Sequence, residues 1–252
     1  MFYYGPMFKI KSFQIYYDTI SDQKRLELLK SDAVILEPTA ITEKDISVLK
    51  EEKVKIFGYV SLMQLENWND ELKEHIRDTD YAILEGKRIH IKDYDTYVMD
   101  LREGHYRDAL LWKIKEYIAD QKLDGIFFDT VDDLDYYFHN DQKTQREMRE
   151  SYRILLEDIK KNYPKLLIIQ NRGFETYQAA SRSNIDGLLW EGFKAEDTQH
   201  SDWAKKWLQY VRKEQRWGRV RVLTVVSDQE SYDLSEKVEF PAFLRKGDTY
   251  QD

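Results

Sequence analysis

The sequence predicts a single (β/α)₈ barrel, a TIM barrel of the α/β class, occupying residues 1–252 with a long loop insertion after the third strand. Two observations predict it. The chain has 252 residues, close to the roughly 250 of a complete barrel. Along it recur eight short apolar runs, each closed by a polar or acidic residue and most followed by a helical pattern, as βα units require. Because the runs are almost continuously apolar, they suit parallel strands buried on both faces better than half-exposed antiparallel ones.

In order, the runs are FQIYYD (13–18), AVILE (33–37), KIFGYVS (55–61), GIFFD (125–129), LLIIQN (166–171), GLLWE (187–191), RVLTVVSD (221–228) and VEFPAF (238–243). Helical periodicity fills the gaps at 22–30, 42–53, 104–121, 141–163, 174–183 and 199–217, with Ser21 and Thr42 placed to cap the first two. Only SDQESYDLSEK separates the last two runs, so a helix there is short. From Glu66 to Leu101 the rhythm breaks. That stretch carries a small amphipathic piece, NDELKEHIRD, a turn at EGKR and an extra strand at TYVMD. Long loops at a barrel mouth commonly serve as lids or binding walls.

Composition narrows the chemistry. Without cysteine there is no disulfide, thiolate nucleophile or iron–sulfur site. A net charge of −8 disfavours a nucleic-acid partner and favours a cationic one. No window approaches the ~20 apolar residues of a membrane span. The start lacks a basic and apolar leader, so the literal expectation is a cytoplasmic protein; an extracellular one would need an export signal ahead of the given start. Nothing in the sequence sets an oligomeric state.

Catalytic side chains of a barrel project from the C-terminal ends of its strands. Here those ends supply Asp18, Glu37, Ser61, Asp129, Gln170, Asn171, Glu191 and Asp228, with Gln64 and Glu66 just beyond the third. The set holds no His, Lys or Cys. His75, His90, His105, His139 and His200 all fall in helices or loops without metal-site spacing, which disfavours a His-based metal site and a Ser–His–Asp triad. No strand-end lysine offers a Schiff base, and no glycine-rich loop cradles phosphate. Paired carboxylates remain, and glycosidic cleavage is their leading chemistry: one acid protonates the leaving oxygen while the other attacks or activates water. Asp129 and Glu191 are the expected pair, with neither metal nor cofactor. An acid after an apolar run can also simply cap a helix, as could Asp129 or Asp18. The acidic cluster of Asp132, Asp133 and Asp135 could hold a cation, but it lacks a calcium-loop pattern and reads better as a solvated loop.

GIFFDTVDD, LLIIQNRGFE and DGLLWEGF, together with GYVSLMQLENW and FPAFL, resemble glycoside-hydrolase family 114, the endo-α-1,4-polygalactosaminidases, over nearly the whole chain. The resemblance implies an endo-acting, retaining enzyme on galactosamine-rich, partially deacetylated polysaccharide of the kind found in biofilm matrices. It makes Asp129 and Glu191 the catalytic pair. Asp129 is expected as nucleophile and Glu191 as acid/base, because Trp190 and Phe193 would set Glu191 in an apolar wall, although the two jobs could be exchanged. Substrate contacts are expected from Tyr17, Tyr59, Glu66, Asp100, Gln170, Asn171, Trp190 and Asp228. Where the family commonly shows G-E-x-E, this chain reads Met63-Gln64-Leu65-Glu66, which leaves a non-catalytic, carbohydrate-binding barrel as the competing reading.

Overall fold

A computed structural model describes residues 5–247 and 249–251; residues 1–4, 248 and 252 of the expected unit lie outside the described residues. Eight parallel strands form one sheet in sequential order: β1 (Phe13–Tyr16), β2 (Ala33–Leu36), β3 (Lys55–Ser61), β4 (Gly125–Asp129), β5 (Leu167–Asn171), β6 (Gly187–Glu191), β7 (Arg221–Val226) and β8 (Ala242–Leu244). The sheet curls until β8 approaches β1, and the backbone N–H of Tyr17 donates to the carbonyl of Tyr250 across the remaining gap, at 2.8 Å.

Strand alternation divides the apolar residues into two cores. Phe13, Ile15, Ile35, Phe57, Phe127, Ile169, Leu189 and Leu223 fill the barrel, and Met7 and Ile10 of the N-terminal segment plug its lower end. The residues between them, among them Val34, Ile56, Ile126, Ile168 and Leu188, face the surrounding helices. Gly125 opens β4 because a Cβ there would lie 2.4 Å from the carbonyl oxygen of Leu167 and 2.6 Å from the Phe57 ring.

The two Asp-Gly pairs have a structural purpose at this lower end. Asp124 accepts the backbone N–H of Ile56 at 3.0 Å, and Asp186 accepts that of Ile168 at 2.9 Å. Each aspartate thus fastens its own strand to the preceding one. Five residues on, the same strands deliver Asp129 and Glu191 to the mouth.

Most of the expected helices form. Ser21 accepts from Lys24 N–H at 3.1 Å to start Asp22–Leu28, and Thr42 with Asp45 makes a capping box for Glu43–Glu51. The stretch expected at 199–217 is two helices, Ala195–His200 and Asp202–Arg216, because the Ser201 side chain caps the second. The last strand lies later than expected, at Ala242–Leu244 rather than 238–243. Gln229–Lys237 is helical, and Val238–Phe240 closes that helix with Glu239 at a left-handed φ of 65°.

Between β3 and Gly104, short strands Gln64–Glu66, His90–Ile91 and Thr96–Val98 make a small antiparallel sheet. The EGKR turn is the tip of a two-stranded hairpin, with Glu85 and Gly86 both at positive φ. Among the described residues, no helix is long and apolar enough to cross a membrane.

Candidate active site

In a barrel of this type every strand is staggered along its neighbour by about one residue, so inward side chains two residues further along on alternate strands share a layer. The registers pair Phe128 with Gln170, Asn171 with Leu189, and Glu191 with Val225. Two residues of stagger from β4 to β6 therefore set Asp129 and Glu191 in the same top layer. Extending the count places Glu37, after β2, and Arg245, after β8, in that layer as well.

Asn171, on the strand between, joins the two acids. Its Nδ2 donates to Asp129 Oδ1 and to Glu191 Oε2, each at 2.8 Å. Two bonds from one nitrogen keep those oxygens within about 5.6 Å, twice the bond length. The other Asp129 oxygen accepts from the Tyr59 hydroxyl at 3.2 Å. Glu191 Oε1 accepts from the Tyr250 hydroxyl and lies 3.5 Å from Arg245 Nη1. The Tyr17 ring stands edge-on between Tyr59 and Tyr250, with centroids 5.0 and 5.2 Å away.

The backbone turns sharply right after each of these strands. Thr130, Arg172 and Gly192 have φ of 60°, 50° and 67°, the first a β-branched residue in a region it rarely occupies. Thr130 is held there by its hydroxyl, which accepts from Met63 N–H at 2.9 Å and meets Ser61 Oγ at 3.2 Å. Arg172 is held by Gln170, whose amide donates to the carbonyls of Arg172 and Gly173 at 2.8 and 3.0 Å. Such turns stop the strands abruptly and leave Asp129, Asn171 and Glu191 projecting into the mouth.

Burial, then the facing Glu191 carboxylate, push the Asp129 carboxyl up to about 6. Burial and the Asp129 charge also push the Tyr17 and Tyr59 phenols up, so both remain hydrogen-bond donors. The Asp129 carboxyl therefore keeps its proton to about pH 6 and is ionised above it. One ionised and one protonated acid beside each other is the state that nucleophile and general acid require.

Of the expected site residues, Asp129, Glu191, Asn171, Tyr17 and Tyr59 come together here. Glu66 sits on the rim, accepting from Asn69 Nδ2 at 3.1 Å. The others point elsewhere. Gln170 is wholly buried on the helix side, accepting Ser181 Oγ at 2.5 Å. Trp190 also faces the helices, packed on Phe174 and Phe193 with centroids 4.8 and 5.1 Å away. One residue along a strand reverses the face, and both sit one residue before an inward side chain. The apolar wall expected around Glu191 is therefore on the wrong side of β6; Asn171, Arg245 and Tyr250 surround it instead. Asp228 caps Gln229–Lys237, accepting from Ser231 N–H at 2.8 Å. Asp100 is clasped by Arg102, with Nη2 at 2.7 Å.

Asp132, Asp133 and Asp135 diverge rather than converge. They engage Arg172 at 3.3 Å, Gln64 Nε2 at 2.8 Å and Arg149 at 2.6 Å respectively. Among the described residues no group of three acids or histidines could hold a metal ion. These acids instead line a depression of about 550 Å³, together with Glu175, Arg149, Arg172 and the exposed Tyr136 and Trp203. Another cavity, of about 950 Å³, lies at the opposite end of the barrel beside Phe8, Arg221 and Phe240, and Asp129 and Glu191 do not line it.

Arg245 and Tyr250 escaped the sequence reading because both lie past the last strand and no local pattern links them to Glu191. The stagger count could have found Arg245.

A profile of glycoside-hydrolase family GH114 matches residues 6–219, which covers all the strands that carry the two acids and Asn171. The chain belongs to glycoside-hydrolase family 114. It is a glycosidase. The glycoside hydrolase domain of PelA from Pseudomonas aeruginosa has the same fold, with a TM-score of 0.75 at 18% identity over 93% of this chain and 94% of that one. An Aspergillus fumigatus protein solved in complex with galactosamine aligns with a TM-score of 0.66 at 13% identity, covering 93% of this chain and 90% of its own. An α-galactosidase from Thermus thermophilus shares the barrel more loosely, with a TM-score of 0.58 at 11% identity over 92% of this chain and 57% of that one. No curated protein matches in sequence.

Proposed function

We propose that this glycosidase is an endo-acting, retaining hydrolase of α-1,4-linked, galactosamine-rich polysaccharide. The observation that carries the mechanism is the two hydrogen bonds that Asn171 Nδ2 donates, which hold the nearest oxygens of the two carboxylates within about 5.6 Å. Retaining enzymes keep their acids roughly 5–5.5 Å apart, whereas inverting ones leave about 6.5–9.5 Å for a water. Asp129, fixed by Tyr59 and Asn171, attacks the anomeric carbon. As it does so, Glu191 gives its proton to the glycosidic oxygen, the C–O bond breaks, and the sugar is left esterified to Asp129. A water then loses its proton to Glu191 and attacks the same carbon, releasing Asp129. Glu191 suits the second role because its side chain is 30% exposed, so leaving group and water can both reach it, and Arg245 steadies its anionic form.

The substrate class rests on charge. Four acids against two arginines line the depression, and the chain carries a net −8, which together favour an amine-bearing glycan. The galactosamine bound to the Aspergillus fumigatus protein, on the same fold, points the same way. Asp129→Asn and Glu191→Gln test the assignment. Each is expected to lower release of oligosaccharide from α-1,4-galactosaminan by roughly a thousandfold or more. Cleavage by both variants at the wild-type rate removes the pair from the chemistry.

A further inference from the structure

A separate cavity of about 230 Å³ opens beneath Trp68, on the side of the mouth built by the ends of β2 and β3 and the insertion that follows. Its wall carries Glu37, Glu66, Asp70 and Glu71 and a single buried cation, Lys113. Lys113 projects from the helix Gly104–Ile114, is 6% exposed, and has no hydrogen-bond or ion-pair partner among the described residues. Its Nζ is not among the fully enclosed unpartnered atoms, so it opens onto the cavity rather than into the core. An ammonium has three donors and no acceptor, and burying it without acceptors is unfavourable unless a ligand supplies them. The Trp68 indole at the rim is 70% exposed and offers the apolar face on which a sugar ring stacks.

The cavity lies at the same end of the barrel as the two acids, since Glu37 lines it. Glu37 stands in the same layer as Asp129, and its charge acts on Tyr59 in the centre and on Tyr117 in the cavity wall. We propose that this cavity is a distal subsite of the polysaccharide groove, holding one hexosamine unit stacked on Trp68. Its hydroxyl or acetamide oxygens accept from Lys113 Nζ, and its amine turns to the carboxylates. The inference rests on the reading of the chain as an amino-polysaccharide hydrolase and adds a chain-length preference to it.

Lys113→Met keeps the apolar stem that packs in the helix and removes only the ammonium, and Trp68→Ala alters an exposed side chain, so both variants retain the fold. Steady-state hydrolysis is measured on partially acetylated α-1,4-galactosamine oligomers, a trimer against chains of six units or more. Each variant is expected to raise KM on the long chains about five- to tenfold, with kcat within about twofold and trimer kinetics unchanged, the signature of lost remote binding. Wild-type kinetics on long chains, or equal losses on long and short chains, overturn the subsite while leaving the hydrolase reading intact. No hydrolysis of any oligomer by the wild type overturns both.

Discussion

Replacing Asp129 by Asn should remove activity and stabilise the fold at neutral and alkaline pH. Burial and the Glu191 carboxylate lift the Asp129 carboxyl from an ordinary 3.8 to about 6. In the unfolded chain the group loses its proton near 3.8, but in the folded chain it keeps it to about 6. The stability this proton contributes is therefore fully present below about pH 4 and is lost as pH rises through 6. At 1.36 kcal/mol for each factor of ten, the loss at pH 8 has a ceiling of ~3 kcal/mol, and partial solvent access to the mouth reduces it to ~1–2 kcal/mol. Asn is neutral at every pH and of the same size, so it recovers that amount. For a domain of this length the gain corresponds to a Tm roughly 3–6 °C above wild type at pH 8. Calorimetry at pH 8 and at pH 4 is the assay. A variant no more stable than wild type at pH 8, or one whose advantage persists undiminished at pH 4, refutes the reasoning.

Three further outcomes follow from the same geometry. Asp129 attacks only when ionised, so activity on the polymer should rise as pH passes about 6; a rate that is greatest near pH 4 contradicts this. Tyr250→Phe deletes a charge-assisted donor to Glu191 and should lower kcat about 10- to 100-fold with little change in KM, while the melting temperature moves by only a few degrees. Gln170→Ala leaves the Arg172 and Gly173 carbonyls and Ser181 without their buried partner, so urea unfolding should show a loss of ~2–4 kcal/mol, with cleavage per folded molecule reduced less than in the Asp129 variant.

The barrel was legible because each strand is a run of apolar residues buried on both faces, and the cluster of polar groups at its mouth because the residues that close such runs meet at one end of the barrel. Asp129, Asn171 and Glu191 all follow from that rule. It fails by one residue at Gln170 and Trp190, since a strand end carries two adjacent residues and only the inward one reaches the mouth; the run itself does not say which. Asp228 fails for a different reason. A strand-end acid before a helix carries the same local signature whether it binds substrate or caps, and here the Ser231 N–H claims it. Tyr250 could not be read at all, because its contact with Glu191 spans 59 residues and depends on the closing segment crossing the mouth. Gln64, singled out as a departure from the family pattern, is explained in part by the structure. Its amide donates to Asp133 and its carbonyl oxygen accepts from Thr96 at 2.8 Å, tying the insertion's small sheet to the acidic loop after β4.

The double-displacement mechanism is tested most directly by the anomer released first. Proton NMR of the reaction with α-1,4-galactosamine oligomers, followed from the earliest turnover, should show the α-anomer of the new reducing end before mutarotation supplies the β form. Initial release of the β-anomer would contradict a nucleophilic Asp129 held by Asn171 beside Glu191.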